Sequence, residues 1–294
     1  MGAGRRILLA VLLAAWVAAC GGGGPDDSST GDPTVSGDPA SEAPQRIVSM
    51  SPNVTEILFA LGRGERVVGV DDFSNHPPEA AAKPRLGGFV DPDLERIVSL
   101  EPDLAVLLEA QAELAEELER LGIGVLLVDN QDLADVEASI VTIGRRAGVP
   151  DRGEELARDF AAGLAPRPRQ GEGPAPRVMI AVGRTPGSTG EVMVAGPRSY
   201  PFEMVQRLGA DNVFADLDRR YVTVGAEEMV ARAPDFVLEL HWRELTVDAE
   251  AAMAEEWRRL LGDDVEVAVV DGPEVMVPGP RLPGVYDRME AALP

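Results

Sequence analysis

From Gln45 onward, short apolar runs alternate with segments in which apolar residues recur every three or four positions. Runs rich in valine, isoleucine and leucine, bounded by polar or turn residues, read as buried strands over residues 46–49, 66–70, 104–108, 125–128, 178–182, 236–240 and 265–270. Between them the longer period predicts helices over 112–121, 133–147, 200–208, 249–261 and 282–292. A further helix opens at Asn53, with Glu56 three residues on as its capping-box partner, and stops at Gly62. Strands that are continuously apolar and alternate with helices imply parallel sheets covered on both faces, which is an α/β fold.

Two stretches repeat one another. Residues 94–109 read LERIVSLEPDLAVLLE and residues 226–241 read AEEMVARAPDFVLELH, with Glu95 and Glu227 each seven residues before a Pro-Asp pair. Each describes a short helix, a proline stop and a buried strand. A second echo places Leu61-Gly62 ahead of Val67 and Leu208-Gly209 ahead of Val213. The reading is two similar lobes, over residues 45–149 and 177–294. They are joined through residues 150–176, where a charged helix over 154–164 runs into a stretch broken by Pro166 and Pro168. A single helical crossing stiffens a hinge, so closure of small amplitude is expected.

The first 44 residues have a different character. Arg5 and Arg6 precede an apolar run from Ile7 to Ala19, shorter than the roughly 20 residues that span a bilayer and suited to the core of a signal peptide. The run ends in Val17-Ala18-Ala19-Cys20, which resembles the lipobox where a bacterial lipoprotein is cut and acylated. Residues 1–20 are therefore expected to be an export signal and Cys20 a lipid anchor. Residues 21–44, made of glycine, proline, serine, threonine and aspartate with almost nothing apolar, read as a disordered tether. Cys20 is the only cysteine, so neither a disulfide nor a catalytic thiol is expected.

Composition narrows the functions. In 294 residues, 50 acidic side chains against 27 basic ones give a formal charge of -23, which opposes binding to nucleic acid. With two histidines, His76 and His241, a three-histidine zinc site cannot be built. The chain carries no phosphate-binding glycine loop, nucleophile elbow or metalloprotease helix, and Gly62-Arg63-Gly64 lacks the third glycine and preceding strand of a dinucleotide site. Neither an enzyme nor a resident cofactor is expected.

Residues 46–62 (RIVSMSPNVTEILFALG), Val67 to Val70, His76-Pro77-Pro78, Gly87-Gly88-Phe89 and residues 92–97 (PDLERI) resemble the substrate-binding lipoproteins and periplasmic proteins of iron-complex and cobalamin importers. The resemblance is close over 45–149 and looser over 177–293, where it rests on Leu208-Gly209, on Glu227 with Pro234-Asp235, and on Gly279-Pro280-Arg281. It implies two Rossmann-like lobes joined by one helix, with ligand in the cleft between them. It also implies that Glu95 and Glu227, one per lobe, dock on arginines of a membrane permease driven by an ATPase. The simpler alternative is that each complements the N-terminus of its helix, worth ~0.3 to 1 kcal/mol.

Ligands of open α/β sheets lie beyond the carboxyl ends of the strands. The pocket candidates are accordingly Phe73, His76, Phe89, Arg184, Trp242 and Arg281, with Asp71 and His241 beside them; Phe73 and Phe89 match family positions that are often aromatic. Cobalamin suits an aromatic cleft with few charges, an anionic ferric siderophore wants arginines such as Arg184 and Arg281, and haem wants an axial residue from His76, His241, Tyr200 or Tyr221. Cobalamin ranks first, ferric siderophore second and haem third. The expected protein is a monomer on the periplasmic or cell-surface side, lipid-anchored through Cys20. The alternative is an anchored receptor or scaffold with no transport partner.

Overall fold

The computed structural model describes residues 43–167, 169, 173–185 and 187–294. The export signal, Cys20, the tether up to residue 42, and Pro168 lie outside the described residues.

The first sheet is parallel throughout. Its strands β1 (Ile47–Ser49), β2 (Val67–Val70), β3 (Leu104–Leu108) and β4 (Gly124–Val128) run in the order β2-β1-β3-β4. Five helices connect and cover them: α1 (Pro52–Ala60), α2 (Pro78–Ala81), α3 (Leu94–Ser99), α4 (Ala112–Arg120) and α5 (Leu133–Arg146). α5 shows how the pattern becomes structure. Asp132 accepts from the Asp135 N–H at 2.9 Å while Asp135 accepts from the Asp132 N–H at 3.2 Å, and Leu133, Val136, Ile140 and Ile143 form the buried stripe. The capping box expected at Asn53 is not formed. Ser51 is the N-cap of α1, Pro52 fills the first helical position, and the Glu56 carboxylate turns away to Arg281.

α6 (Pro150–Gly163) leads to the second sheet. This sheet contains β5 (Arg177–Arg184), β6 (Glu191–Ala195), β7 (Asp211–Asn212), β8 (Tyr221–Gly225), β9 (Phe236–His241) and β10 (Glu266–Asp271), in the order β10-β9-β5-β6-β8 with β7 also paired to β5. The helices are α7 (Tyr200–Arg207), α8 (Ala226–Arg232), α9 (Val247–Leu261) and α10 (Leu282–Ala292). β9, β10 and β7 are parallel to their neighbours, but β6 and β8 are antiparallel. The second sheet is thus mixed. β6 escapes an apolar-run reading because its buried and exposed positions alternate, and β8 because only Val224 in it is buried.

The duplication read from sequence is a structural one. β1 lies between β2 and β3 as β5 lies between β7 and β9, all parallel. Ahead of β1, Arg46 sends its guanidinium to the carbonyls of Leu100 and Glu101; at the start of β5, Arg177 sends its own to the carbonyls of Arg232 and Ala233. The Asp103 N–H donates to Arg46 O at 2.9 Å, and the Asp235 N–H to Arg177 O at 2.9 Å. Glu101 (φ 46°) and Ala233 (φ 45°) occupy the same left-handed position before Pro102 and Pro234.

α6 begins four residues earlier than the sequence pattern suggests, because Pro150 is suited to the first helical position. It packs closely on α5. A Cβ on Gly144 would come within 2.7 Å of the Gly153 Cα, so this crossing admits glycine only. Ala157 and Phe160 of α6 join Ile140 and Ile143 of α5 and Val285, Tyr286 and Met289 of α10 in one buried cluster that reaches both sheets. Separate clusters fill the outer side of each lobe. The lobes therefore share an interior along α6, beyond the single helix expected to join them.

Candidate ligand cleft

A cavity of about 200 Å³ lies where the strand ends of the first sheet meet the segment after β10. From the first lobe it is lined by Met50 to Asn53 past β1, Asp71 and Phe73 past β2, Phe89, Leu108 at the end of β3, and Asn130 past β4; the second lobe adds Met276, Val277 and Pro278. Phe73 and Phe89 come together here as expected. They are 65% and 42% exposed and give the mouth an apolar rim.

The loop that presents Phe73 is fixed from beneath. Asp71 is buried and accepts from the Phe73 N–H at 3.0 Å and from the Ser74 hydroxyl. Ser74 Oγ in turn lies 2.7 Å from Thr55 Oγ1, which lies 2.8 Å from Ser49 Oγ. Arg85 donates to the carbonyls of Asp71 and Ser74 at 2.9 and 2.8 Å. Burial pushes the Asp71 carboxyl above the usual carboxylate range, against the opposing pull of Ser74, the Phe73 N–H and Arg85. Among the described residues it is the one ionisable side chain in the lining.

His76 and Arg281 lie elsewhere. They line a second hollow, of about 520 Å³, with Glu56, Phe59, Glu65, Glu79 and Lys83. Residues 276–281 separate the two hollows. Met276 to Pro278 face the cleft, Pro280 and Arg281 face the other side, and a Cβ on Gly279 between them would meet Asn53 and Glu56 of α1 at 3.6 Å.

Arg184 corrects its reading as a pocket residue. Its side chain is 3% exposed and is held by Glu239 at 2.8 Å and Glu256 at 2.6 Å, while the Trp257 indole donates to Glu239 at 2.6 Å. A guanidinium committed to two carboxylates belongs to the fold. Trp242, past β9, is exposed and stacks with Arg243, whose guanidinium carbon is 4.1 Å from the ring centre. It lines neither hollow. Glu95 and Glu227 are exposed in the first turns of α3 and α8, the helices that the duplication makes equivalent.

Sequence reasoning missed Asn53, Asn130 and Met276 to Pro278. Asn53 reads from sequence as the start of a helix cap, and the last three sit several residues beyond β10 rather than at its end. The Ser51-Pro52-Asn53 turn directly after β1 was the available signal.

The sequence profile of the periplasmic binding proteins matches residues 47–260, and the chain belongs to that family. It is 29% identical over 199 residues to the vitamin B12-binding protein of Vibrio parahaemolyticus, covering 67% of this chain and 70% of that protein. The vitamin B12-binding protein of Pectobacterium carotovorum is likewise 29% identical, over 66% of this chain and 71% of its own length. Among solved structures, the periplasmic heme-binding protein of Pseudomonas aeruginosa aligns with a TM-score of 0.71 and 27% identity, over 85% of this chain and 92% of that one. The periplasmic vitamin B12-binding protein of Vibrio cholerae shares the fold, with a TM-score of 0.69 at 23% identity over 85% and 96% of the two chains. These relatives are named as binding proteins, and the chain is a periplasmic binding protein.

Proposed function

We propose that this protein is an extracytoplasmic solute-binding lipoprotein that captures cobalamin and hands it to the permease of an ABC importer. The observation that carries the choice of ligand is the chemistry of the cleft. Among the described residues its lining has two phenylalanines, two asparagines and no arginine, lysine, histidine or tyrosine. An anionic ferric siderophore would meet no cation there, since Arg184 and Arg281 are taken by carboxylates. Haem would find no axial imidazole or phenolate in the lining. A corrinoid needs apolar faces and amide partners, which the cleft offers. A hollow of about 200 Å³ holds only one edge of such a solute, leaving the rest over the exposed rim of Phe73 and Phe89.

Delivery to a permease follows the family, with Glu95 and Glu227 as the docking charges and Cys20 as the lipid attachment. Titration of the protein with cyanocobalamin, haemin and a ferric siderophore, followed by tryptophan emission and by calorimetry, tests the reading. Saturable binding of cyanocobalamin that weakens in Phe73→Ala and Phe89→Ala is expected. Preference for haemin or the siderophore would replace the ligand, and silence toward all three would favour the scaffold reading.

A further inference from the structure

Asn53 stands in the second position of α1, is 3% exposed, and lines the cleft beside Ser51 and Pro52. The Ser51 hydroxyl donates to its Oδ1, and its Nδ2 has no hydrogen-bond partner among the described residues. A buried amide donor left without a partner is destabilising by an amount comparable to a lost hydrogen bond, so such groups call for an explanation.

The surroundings supply one. α1 is nine residues long and starts at the cleft, its N-cap Ser51 makes no side-chain cap, and Pro52 brings no N–H. The first turn of a helix leaves its N–H groups unpaired and carries partial positive charge. Asn53 adds a side-chain donor at the same end. The χ2 torsion of an asparagine is soft, so the amide can turn toward an atom entering the cleft. The other polar groups near this end are already used: Asp71 by Phe73 and Ser74, and Glu56 by Arg281.

We infer that Asn53 is a ligand-binding residue whose Nδ2 donates to an acceptor oxygen of the solute, and that this oxygen seats at the N-terminal turn of α1. The inference rests on the corrinoid reading above and specifies how that solute is oriented. A corrinoid carries such oxygens in two places, the carbonyls of its peripheral carboxamides and the phosphate and ribose of its nucleotide loop. Neither is offered a cation here, and a neutral amide donor at a helix N-terminus suits both.

The role separates from a structural one because the two move stability and affinity differently. If Nδ2 waits for ligand, Asn53→Ala removes an unsatisfied buried donor but also takes the acceptor from the Ser51 hydroxyl, so the melting temperature of the ligand-free protein changes little while affinity falls about three- to tenfold. Asn53→Asp keeps the shape, replaces the donor by an acceptor and lowers affinity further. Calorimetric titration of the full-length wild type and both variants, with cyanocobalamin and with dicyanocobinamide, which lacks the nucleotide phosphate, reads the outcome. Loss with both corrinoids assigns the partner as a carboxamide, and loss with cyanocobalamin alone assigns an oxygen of the nucleotide loop. Unchanged affinity in both variants overturns the inference, as does a fall in affinity that merely follows a fall in melting temperature. Failure of the folded wild type to bind either corrinoid defeats the functional reading itself, and this inference with it.

Discussion

Arg281 grips Glu56 with two nitrogens, Nε to Oε2 at 2.9 Å and Nη2 to Oε1 at 2.5 Å, joining two lobes across 225 residues of sequence. Glu56 is on α1 of the first lobe and its side chain is 4% exposed; Arg281 immediately precedes α10 of the second. Glu274 extends the pair, accepting from Arg281 at 3.3 Å and from Arg288 at 2.6 Å. The bidentate geometry holds residues 276–281 against α1 and so sets the width of the cleft. Arg281→Ala leaves the Glu56 carboxylate buried and uncompensated, and it should lower unfolding free energy by about 3 kcal/mol. The double variant Glu56→Gln with Arg281→Ala should recover part of that loss. Urea unfolding of the four proteins of the cycle measures the coupling.

Arg184 presents the same chemistry in the interior of one lobe. Its guanidinium bridges Glu239 on β9 and Glu256 on α9, and Glu239 also accepts from Trp257. Removing the cation exposes two carboxylates to each other in a dry site. Arg184→Met should therefore destabilise by about 3 to 5 kcal/mol. Arg184→Lys should restore little, because an ammonium is a point charge and cannot span both acids as the planar fork does. Corrinoid affinity at a temperature where the variants are folded should stay within about twofold of wild type, a contrast with the losses expected from the phenylalanines of the rim.

Glu203 of α7 is pushed above the ordinary glutamate range by burial first and by Asp132 second. Asp71 and Asp135 are raised as well, again chiefly by burial. A raised folded-state value means that the native protein holds protons the unfolded chain has released. Between the unfolded value near pH ~4.3 and the higher folded one, stability falls as pH rises. Glu203→Gln lacks this slope. Its melting temperature relative to wild type should be most favourable at pH 7 and lose that advantage as the buffer is taken to pH 4. Asp216, which Arg232 holds below the usual range, works in the opposite direction but is untouched by the substitution, so the difference isolates Glu203. Thermal melts at five or six pH values measure it.

Much of this architecture is legible because burial and local chemistry agree. The strands of the first sheet are short apolar runs with no competing period, and the duplicated Pro-Asp turns mark equivalent places in the two lobes. Prediction fails where a side chain's partner is remote. Asn53 and Glu56 satisfy the local grammar of a helix cap, but Glu56 finds a cation 225 residues away, and only the folded chain reveals it. Arg184 fails for the same reason: an arginine past a strand looks available until Glu239 and Glu256 are brought beside it. The rule that ligands sit beyond strand ends located Phe73 and Phe89. It missed Met276 to Pro278, which reach the cleft after a turn of 3₁₀ helix that periodicity does not register.

Glu95 and Glu227 occupy equivalent positions in the first turns of α3 and α8, exposed and without a salt-bridge partner among the described residues. Their neighbours differ. Glu228, one residue on, pairs with Arg232 on its own helix at 3.1 Å, which leaves Glu227 as the free carboxylate of that turn. Two free acids placed by the same structural repeat, one on each lobe, suit a partner that carries two cations at a matching separation. Such rim charges chiefly steer encounter and fix orientation. If they only complemented their helix ends, each would contribute ~0.3 to 1 kcal/mol to stability and nothing to transport. Glu95→Arg combined with Glu227→Arg should therefore leave corrinoid affinity unchanged and abolish uptake in cells that depend on this protein, while each single reversal reduces uptake in part. Assay of radiolabelled cobalamin uptake beside calorimetric affinity separates the two accounts: uptake equal to wild type in the double variant would leave the glutamates as helix-end charges alone.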